Sequence, residues 1–548
     1  MNRSTLAVVA ALTLMPASGA AQETAPEIES IRREQLRADL FFLAGDAMRG
    51  RLTDTPENSM AAEWIKSRFE RLGLKPAGTD GSYFHEYDLS TASLGVGNRL
   101  MVGSRSGPLF RPLEHGYYPL RFSARGDASG PVVFAGFGIV SPSRGHDDFK
   151  NADLQGKIVL VMDHEPGERD PDSAFDGLVT SEVSRNVRKA LTAQERGAAA
   201  VLFVSDVHNH PEPGDFERAA ERYWPSNPRR VPRYSLATWV NRVRIPAFQI
   251  SPEVAEMLTR PTGRSFAELA AAAETRGGVD PLAIPDLVIE VTASVNRHIV
   301  PDRNVVALLE GSDPELADEW VIISAHYDHD GVDGDRILNG ADDDGSGIVA
   351  LIEIAEAYSR AAEKGVRPRR SILFAAWNSE ERGLLGAWAY TEDPLNPLDR
   401  TVAVLNMDMV GRNEEVPAGE GRRFRGLEPQ TSESNDNSVN IMGYTYSPDL
   451  RRTIETANAD IGLKLKMTYD NNPSQLLRRS DQWPFLQNGV PAVFVHTGLH
   501  PDYHTENDVP DRINYEKMEK IARMVFQTSW TLAQADGRPR FGQRATMF

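Results

Sequence analysis

The chain has no cysteine in 548 residues. That excludes disulfides, a thiol nucleophile and thiolate ligands, so any tightly held metal must sit on His, Asp and Glu. It also has no surplus of positive charge. The formal net charge is −18, which argues against nucleic acid or an anionic membrane as the main partner. Past the first residues no run approaches the roughly 20 apolar residues that a membrane-spanning helix needs. No low-complexity block dominates, and the apolar content of 41% is that of a globular protein. The length predicts two or three domains.

What is present begins with the N-terminus. Arg3 precedes an apolar run over residues 6–15, followed by Pro16 and the small residues Ala17, Ser18, Gly19, Ala20 and Ala21. Charge, apolar stretch and small-residue exit together predict a secretory signal peptide over 1–21. The chain is thus expected to be exported, to the periplasm or the medium. The run is too short for a membrane anchor, so no stable membrane insertion is expected.

Three further regions follow. Residues 31–74 read as helical: Thr55-Pro56 opens one helix, and Ala61, Trp64, Ile65, Phe69 and Leu72 mark one face before Gly73 ends it. With the polar stretch before it, this makes an N-terminal segment over 22–97. Residues 98–296 carry short β-type runs separated by Pro-, Gly- and Asp-rich loops, predicting a separate β-rich or α+β domain. Its His146, His164, His208 and His210 show no spacing with carboxylates that marks a site, and read as surface or loop histidines. From 297 to 548, β-runs at 320–325, 371–377, 401–406 and 492–495 alternate with helices at 345–358 and 514–532. Alternation of this kind predicts an α/β fold, a mixed, mostly parallel sheet with helices on both faces. Ligands of such sheets bind beyond the carboxyl ends of the strands.

Those strand ends carry the chemistry. The first runs into His326-Tyr327-Asp328-His329; residues two apart on extended chain face one side, so Asp328 can orient His326. Before the helix at 345 stands Gly340-Ala341-Asp342-Asp343-Asp344-Gly345. One helix cap uses one Asp, so the triplet exceeds that need, and a cation would relieve its repulsion. The next strand ends in Glu380-Glu381, a pair that can divide metal binding from proton transfer. Asp408 lies between Met407 and Met409, an unusual place for an unpaired charge. The last strand leads to His496, His500 and His504. Singly, each motif also reads as a capped or solvated loop. Together they form a nitrogen and oxygen donor set suited to Zn²⁺.

In this order HYDH, GADDDGSG, NSEERGLLG, NMDMVGR and TGLHPDYHT resemble the two-zinc aminopeptidases of metallopeptidase family M-28. The opening LAGDAMRGR…GLKPAGTDGSYF is similar to that family's first helical segment. FAGFGIV, GKIVLV, ERGAAAVLFV and IPAFQIS resemble the protease-associated (PA) domain inserted in many of these enzymes. The resemblance implies a zinc exopeptidase fold with two Zn²⁺ per chain and peptide substrates with a free N-terminus. By it, Asp343 is the bridging carboxylate, His326 and Asp408 complete one metal site, and Glu381 and His504 complete the other. It further implies Glu380 as general base, Asp328 as the partner of His326, and a non-proline cis peptide after Asp343. One position departs from the pattern: RSDQ at 479–482 has Gln482 where the family commonly has His, which puts a substrate-side contact in question. Arg479 of that segment is a candidate anchor for substrate. Two other functions use related folds, a glutaminyl-cyclase-like transferase and a binding ectodomain without activity. The PA-like insertion and the complete ligand set favour the peptidase. Residues 411–440, long, polar and glycine-rich, read as a lid or a solvated insertion.

Overall fold

Three strands, Ser371–Trp377, Thr401–Met407 and Ala492–His496, are buried at every residue, and Trp320–His326 at all but its first. Strands without a polar side must be covered on both faces, and they lie parallel to one another in the middle of a sheet. The computed structural model describes residues 24–542 apart from 108, 109, 151, 213 and 420. The leader expected over 1–21 lies outside the described residues.

Across the large sheet the order is Ser235–Leu236, Phe84–Leu94, Val295–Leu309, Ser371–Trp377, Trp320–His326, Thr401–Met407, Ala492–His496, Ser438–Met442 and Lys464–Lys466, with Lys75–Pro76 pairing onto Val295–Leu309. The α/β architecture is as expected. The sheet is mixed and not mostly parallel: pairing is parallel at the centre and at the Lys464–Lys466 edge. Val295–Leu309 runs antiparallel to both Ser371–Trp377 and Phe84–Leu94, with Leu94 opposite Val295, and Ser438–Met442 runs antiparallel to Ala492–His496. The chain between Leu94 and Val295 leaves and re-enters the sheet side by side, which requires that pairing.

Side chains alternate between two cores, as the period of two demands. Val321, Ile323 and Ala325 face one core, formed with helices Arg33–Leu43, Pro56–Arg71, Gly347–Glu363 and Tyr515–Gln534. Ile322 faces the other, with Trp388 of Leu385–Glu392 and Trp483 of Gln482–Gln487. In the first core Phe374 packs between Phe69 and Tyr358, at centroid distances of 6.2 and 5.8 Å. Burial of such a ring contributes about 1.5–3 kcal/mol. Thr55 caps the Pro56 helix by accepting from the Asn58 amide.

A second sheet holds the strands from Arg99–Ser104 to Leu282–Ala293, with Ile158–Met162 and Ala200–Val204 parallel at its centre. The segment between 98 and 296 is not wholly separate. Ser235–Leu236 forms an edge of the large sheet, and Leu236 and Trp239 bury into the second core of that sheet. A strap at 178–182 also crosses over: the Leu178 amide donates to Asn471 Oδ1 and the Thr180 amide to Gln475 Oε1.

Candidate metal centre

The strands Trp320–His326, Ser371–Trp377, Thr401–Met407 and Ala492–His496 end side by side, and the loops after them converge at one end of the sheet. The helix expected from 345 begins at Gly347 instead, because residues 341–346 form an irregular turn with non-helical Asp343 and Asp344. The Asp343–Asp344 peptide is cis, as the resemblance implied. Arg51, Ser379, Met409 and His504, all around this centre, hold left-handed backbone at φ of 47, 57, 58 and 55°. Backbone of that kind persists only where its surroundings over-determine it, and it gathers at functional sites.

The three aspartates have three separate tasks. Asp342 Oδ1 accepts from the Gly411 amide at 2.6 Å, and Oδ2 faces His500 Nε2 at 3.2 Å. Asp344 accepts from the amides of His326, Gly347 and Met409 at 3.0, 2.9 and 3.1 Å, fixing two strand ends to the helix start. Asp343 alone points into the centre. Its Oδ1 lies 3.3 Å from His326 Nε2 and its Oδ2 2.9 Å from His504 Nε2. Asp508 secures the turn, accepting from the amides of Asp342 and Asp343.

Around Asp343 the residues form two sets. On one side His326 Nε2 lies 3.6 Å from Asp408 Oδ2 and 3.8 Å from Glu380 Oε2. On the other, His504 Nε2 lies 3.3 Å from Glu381 Oε1. The structure thus brings together His326, Asp343, Glu380, Glu381, Asp408 and His504. Asp328 stands behind them. Its Oδ1 accepts from the Glu380 amide at 3.0 Å and lies 3.6 Å from His326 Nδ1, which is itself 3.2 Å from the Asp328 main-chain oxygen.

Electrostatics follow from the crowding. Burial disfavours the charged form of His326, but Glu380 and Asp408 outweigh it and hold the imidazole well above its usual range. Burial likewise opposes charge on His504, and Glu381 overcomes it. For Asp343, burial yields to His326 and His504, which keep the carboxylate well below the ordinary range. Burial, with Asp408 and Glu381 as neighbouring charges, pushes Glu380 well above it. A carboxyl displaced upward is suited to proton transfer near neutrality.

The donors fit metal. His326 Nε2, His504 Nε2 and Glu381 Oε1 are buried and make no hydrogen bond of acceptable geometry. Buried polar atoms without partners are uncommon in folded proteins, and these converge with two further carboxylates. Nitrogen and oxygen donors of this kind suit Zn²⁺.

Several residues of the site carried no distinguishing signal in the sequence. His329 is fully buried with Nδ1 2.8 Å from Glu381 Oε1, which makes it a further candidate ligand. Asp330 Oδ2 lies 3.1 Å from His504 Nδ1, while its Oδ1 takes Arg382 at 2.6 Å. Arg51 is fully buried and donates to the carbonyls of Tyr327, Leu43, Asn339 and Gly340, joining the first helical segment to both the HYDH and GADDD turns. Burial lowers its guanidinium to about 10.

A narrow cavity opens on Asp343, Glu380 and Asp408, walled by Arg479, Leu476 and His496. Gln482 does not line it. The Gln482 side chain is buried behind the wall, donating to the Leu477 carbonyl and meeting Asn406. The 411–440 stretch is pinned rather than free at Glu414, which is fully buried and accepts from Tyr469 at 2.9 Å and Lys466 at 2.5 Å.

Residues 304–529 match the model of Peptidase family M28, and residues 128–258 that of the PA domain. A "Probable glutamate carboxypeptidase" of Arabidopsis thaliana is 30% identical over 276 residues, 49% of this chain and 35% of that one. A "Probable zinc metalloprotease" of Pyricularia oryzae is 26% identical over 299 residues, 50% of this chain and 58% of that one. The chain therefore spans 35 to 58% of the length of these curated relatives. The solved aminopeptidase from Aneurinibacillus sp. strain AM-1 is 18% identical with a TM-score of 0.47, covering 94% of this chain and 96% of that one.

Proposed function

We propose that this chain, which carries a Peptidase family M28 domain at 304–529 and a PA domain at 128–258, is an exported two-zinc exopeptidase that removes N-terminal residues from peptides. One observation carries the reading. Asp343 offers one oxygen to the His326 side and the other to the His504 side, at 3.3 and 2.9 Å. His326 and Asp408 would hold one zinc, and Glu381 and His504 the other, with Asp343 shared. When bound, the metals supply Lewis acidity, polarising the scissile carbonyl and lowering the pKa of water towards about 7.

The residues of the chain supply the rest. Glu380 borders the cavity and sits 3.8 Å from His326 Nε2, where it takes the proton of the attacking water and returns it to the leaving amine. Asp328 holds the Glu380 amide and so sets the reach of that carboxyl. Asp330 fixes the tautomer of His504, leaving Nε2 free to ligate. Apolar Leu476, Phe494 and Leu499 line the cavity beside these carboxylates, a surface that suits a substrate side chain.

A second reading keeps the chemistry and reverses the end of the substrate. Arg479 is a cation in the cavity wall and could take a C-terminal carboxylate, and a curated relative is named a glutamate carboxypeptidase. Hydrolysis of one peptide in free, N-acetylated and C-amidated forms separates the two. Loss of cleavage on acetylation supports the aminopeptidase, and loss on amidation the carboxypeptidase. Ammonia release from N-terminal glutamine without hydrolysis would favour a cyclase instead. Export rests on the leader sequence, and a mature protein beginning near Gln22 outside the cytoplasm would support it.

A further inference from the structure

His164 and His210 were expected to be surface or loop histidines, but the fold brings them together with Glu168. Ile158–Met162 and Ala200–Val204 are neighbouring parallel strands, and the loops after both leave at the same end. Open parallel sheets bind ligands at that end. Glu168 Oε2 lies 2.9 Å from His164 Nδ1, and Glu168 Oε1 lies 2.5 Å from His210 Nε2. The two imidazole rings stand 4.4 Å apart, tilted by 34°.

We infer that these three side chains form a further zinc site, in the PA domain and separate from the peptidase centre. Two imidazoles and one carboxylate are a donor set that takes Zn²⁺ and leaves a position for water. Ligands about 2.0–2.2 Å from one tetrahedral ion stand about 3.4 Å apart, and here one ligand atom from each of the three residues lies within 4.8 Å of the others. Both histidine side chains are about 40% exposed, which gives a path for the ion. His210 Nε2 is buried as an atom yet makes no hydrogen bond of acceptable geometry, even at 2.5 Å from Glu168. It is aimed at the carboxylate.

The loops are braced to hold that arrangement. Asp206 Oδ1 accepts from the amides of His208 and Asn209, and the His210 amide donates to the Asp206 carbonyl, closing the turn that presents His210. Glu274 bridges both loops, taking the Gly167 amide at 2.7 Å and Asn209 Nδ2 at 2.6 Å. The site also has a route to the peptidase. Glu165, between His164 and Glu168 in sequence, accepts from the Ser181 amide in the strap that docks on Asn471 and Gln475. That strap lies against the segment supplying Leu476 and Arg479 to the catalytic cavity. Zinc here would stiffen the strap and hold that wall in place.

The test counts zinc on the full-length mature protein, stripped with chelator, reloaded with Zn²⁺ alone and passed through gel filtration. His210→Ala and Glu168→Gln are each expected to carry one zinc per chain fewer than the wild type. In an Asp343→Ala background, where the peptidase centre is disabled, Zn²⁺ is expected to raise the melting temperature, and His210→Ala to abolish that rise. Both comparisons are differences, so they do not depend on how many ions the peptidase centre holds. Equal zinc in wild type and His210→Ala, or a difference between them seen only at millimolar Zn²⁺, overturns the inference. Should Glu168→Gln fail to fold, the half-exposed His164→Ala and His210→Ala variants decide it.

Discussion

Asp330 Oδ2 lies 3.1 Å from His504 Nδ1, and this contact turns His504 Nε2 towards Asp343 at 2.9 Å. A carboxylate behind a ligating imidazole fixes its tautomer and raises its basicity, and loss of such a partner typically costs 10- to 100-fold in metal affinity or activity. Asp330→Ala is therefore expected to weaken zinc binding by about that factor, measured by competition with a chelator of known affinity. Because Asp330 also anchors Arg382, Arg382→Met serves as a control. Comparable loss of affinity in Arg382→Met alone would assign the effect to the ion pair and not to His504.

Arg51 joins two site loops to the N-terminal helical segment through four main-chain carbonyls. Arg51→Met would leave those buried carbonyl acceptors without donors, at about 1–3 kcal/mol for each one left unsatisfied. Urea denaturation should show a loss of that order. Within 0.5 kcal/mol of the wild type, roughly the range of ordinary surface substitutions, Arg51 would not be the tie described.

Glu353 lies in the central helix and gives a pH signature. Burial, with Glu356 and Asp39 nearby, raises its carboxyl from 4.5 to about 8. The folded chain thus binds this proton more tightly than the unfolded one. The stability it contributes is fully present below about pH 4.5 and is lost as pH rises through about 8. Glu353→Gln should match the wild type near pH 4.5 and exceed it above pH 8 in calorimetric melting, by about 1–2 °C for each kcal/mol regained. No gain at alkaline pH would contradict the assignment.

Zinc should also stabilise the protein in a pH-dependent way. An ion bound at 1,000 times its Kd adds about 4 kcal/mol. His326 and His504 hold protons well above the usual range when the carboxylates around them lack a cation, so protons and metal compete for the same nitrogens. The rise in melting temperature on adding Zn²⁺ to stripped protein is expected to shrink as pH falls from 8 to 5. A rise independent of pH would argue that the histidines are not ligands.

The parts of the site that were legible in the sequence are those at strand ends. Apolar runs such as 371–377 announce buried strands, and the polar residue that stops each run must have a reason to be there. Glu380, Glu381 and Asp408 stood out in this way. Asp330 and His329 did not, because they follow His326 in a loop whose path is set by tertiary contacts. Arg51 looked like one arginine among many, and only the fold shows that it donates to four main-chain carbonyls. The start of the central helix was misplaced by two residues because Asp343 and Asp344 take non-helical backbone inside a helical pattern. His164, Glu168 and His210 are joined only by the parallel register of two strands far apart in sequence, a relationship that no local spacing encodes.

The central claim is that Glu380 moves the proton while Asp343 and its neighbours hold the metals. The most direct measurement is zinc per chain alongside hydrolysis of an unblocked peptide for wild type, Glu380→Gln and Asp343→Ala. Glu380→Gln is expected to keep the zinc content of the wild type and lose about 10²- to 10⁴-fold in kcat. Asp343→Ala is expected to lose two zincs and all turnover. Undiminished kcat in Glu380→Gln, or unchanged zinc in Asp343→Ala, would contradict the account.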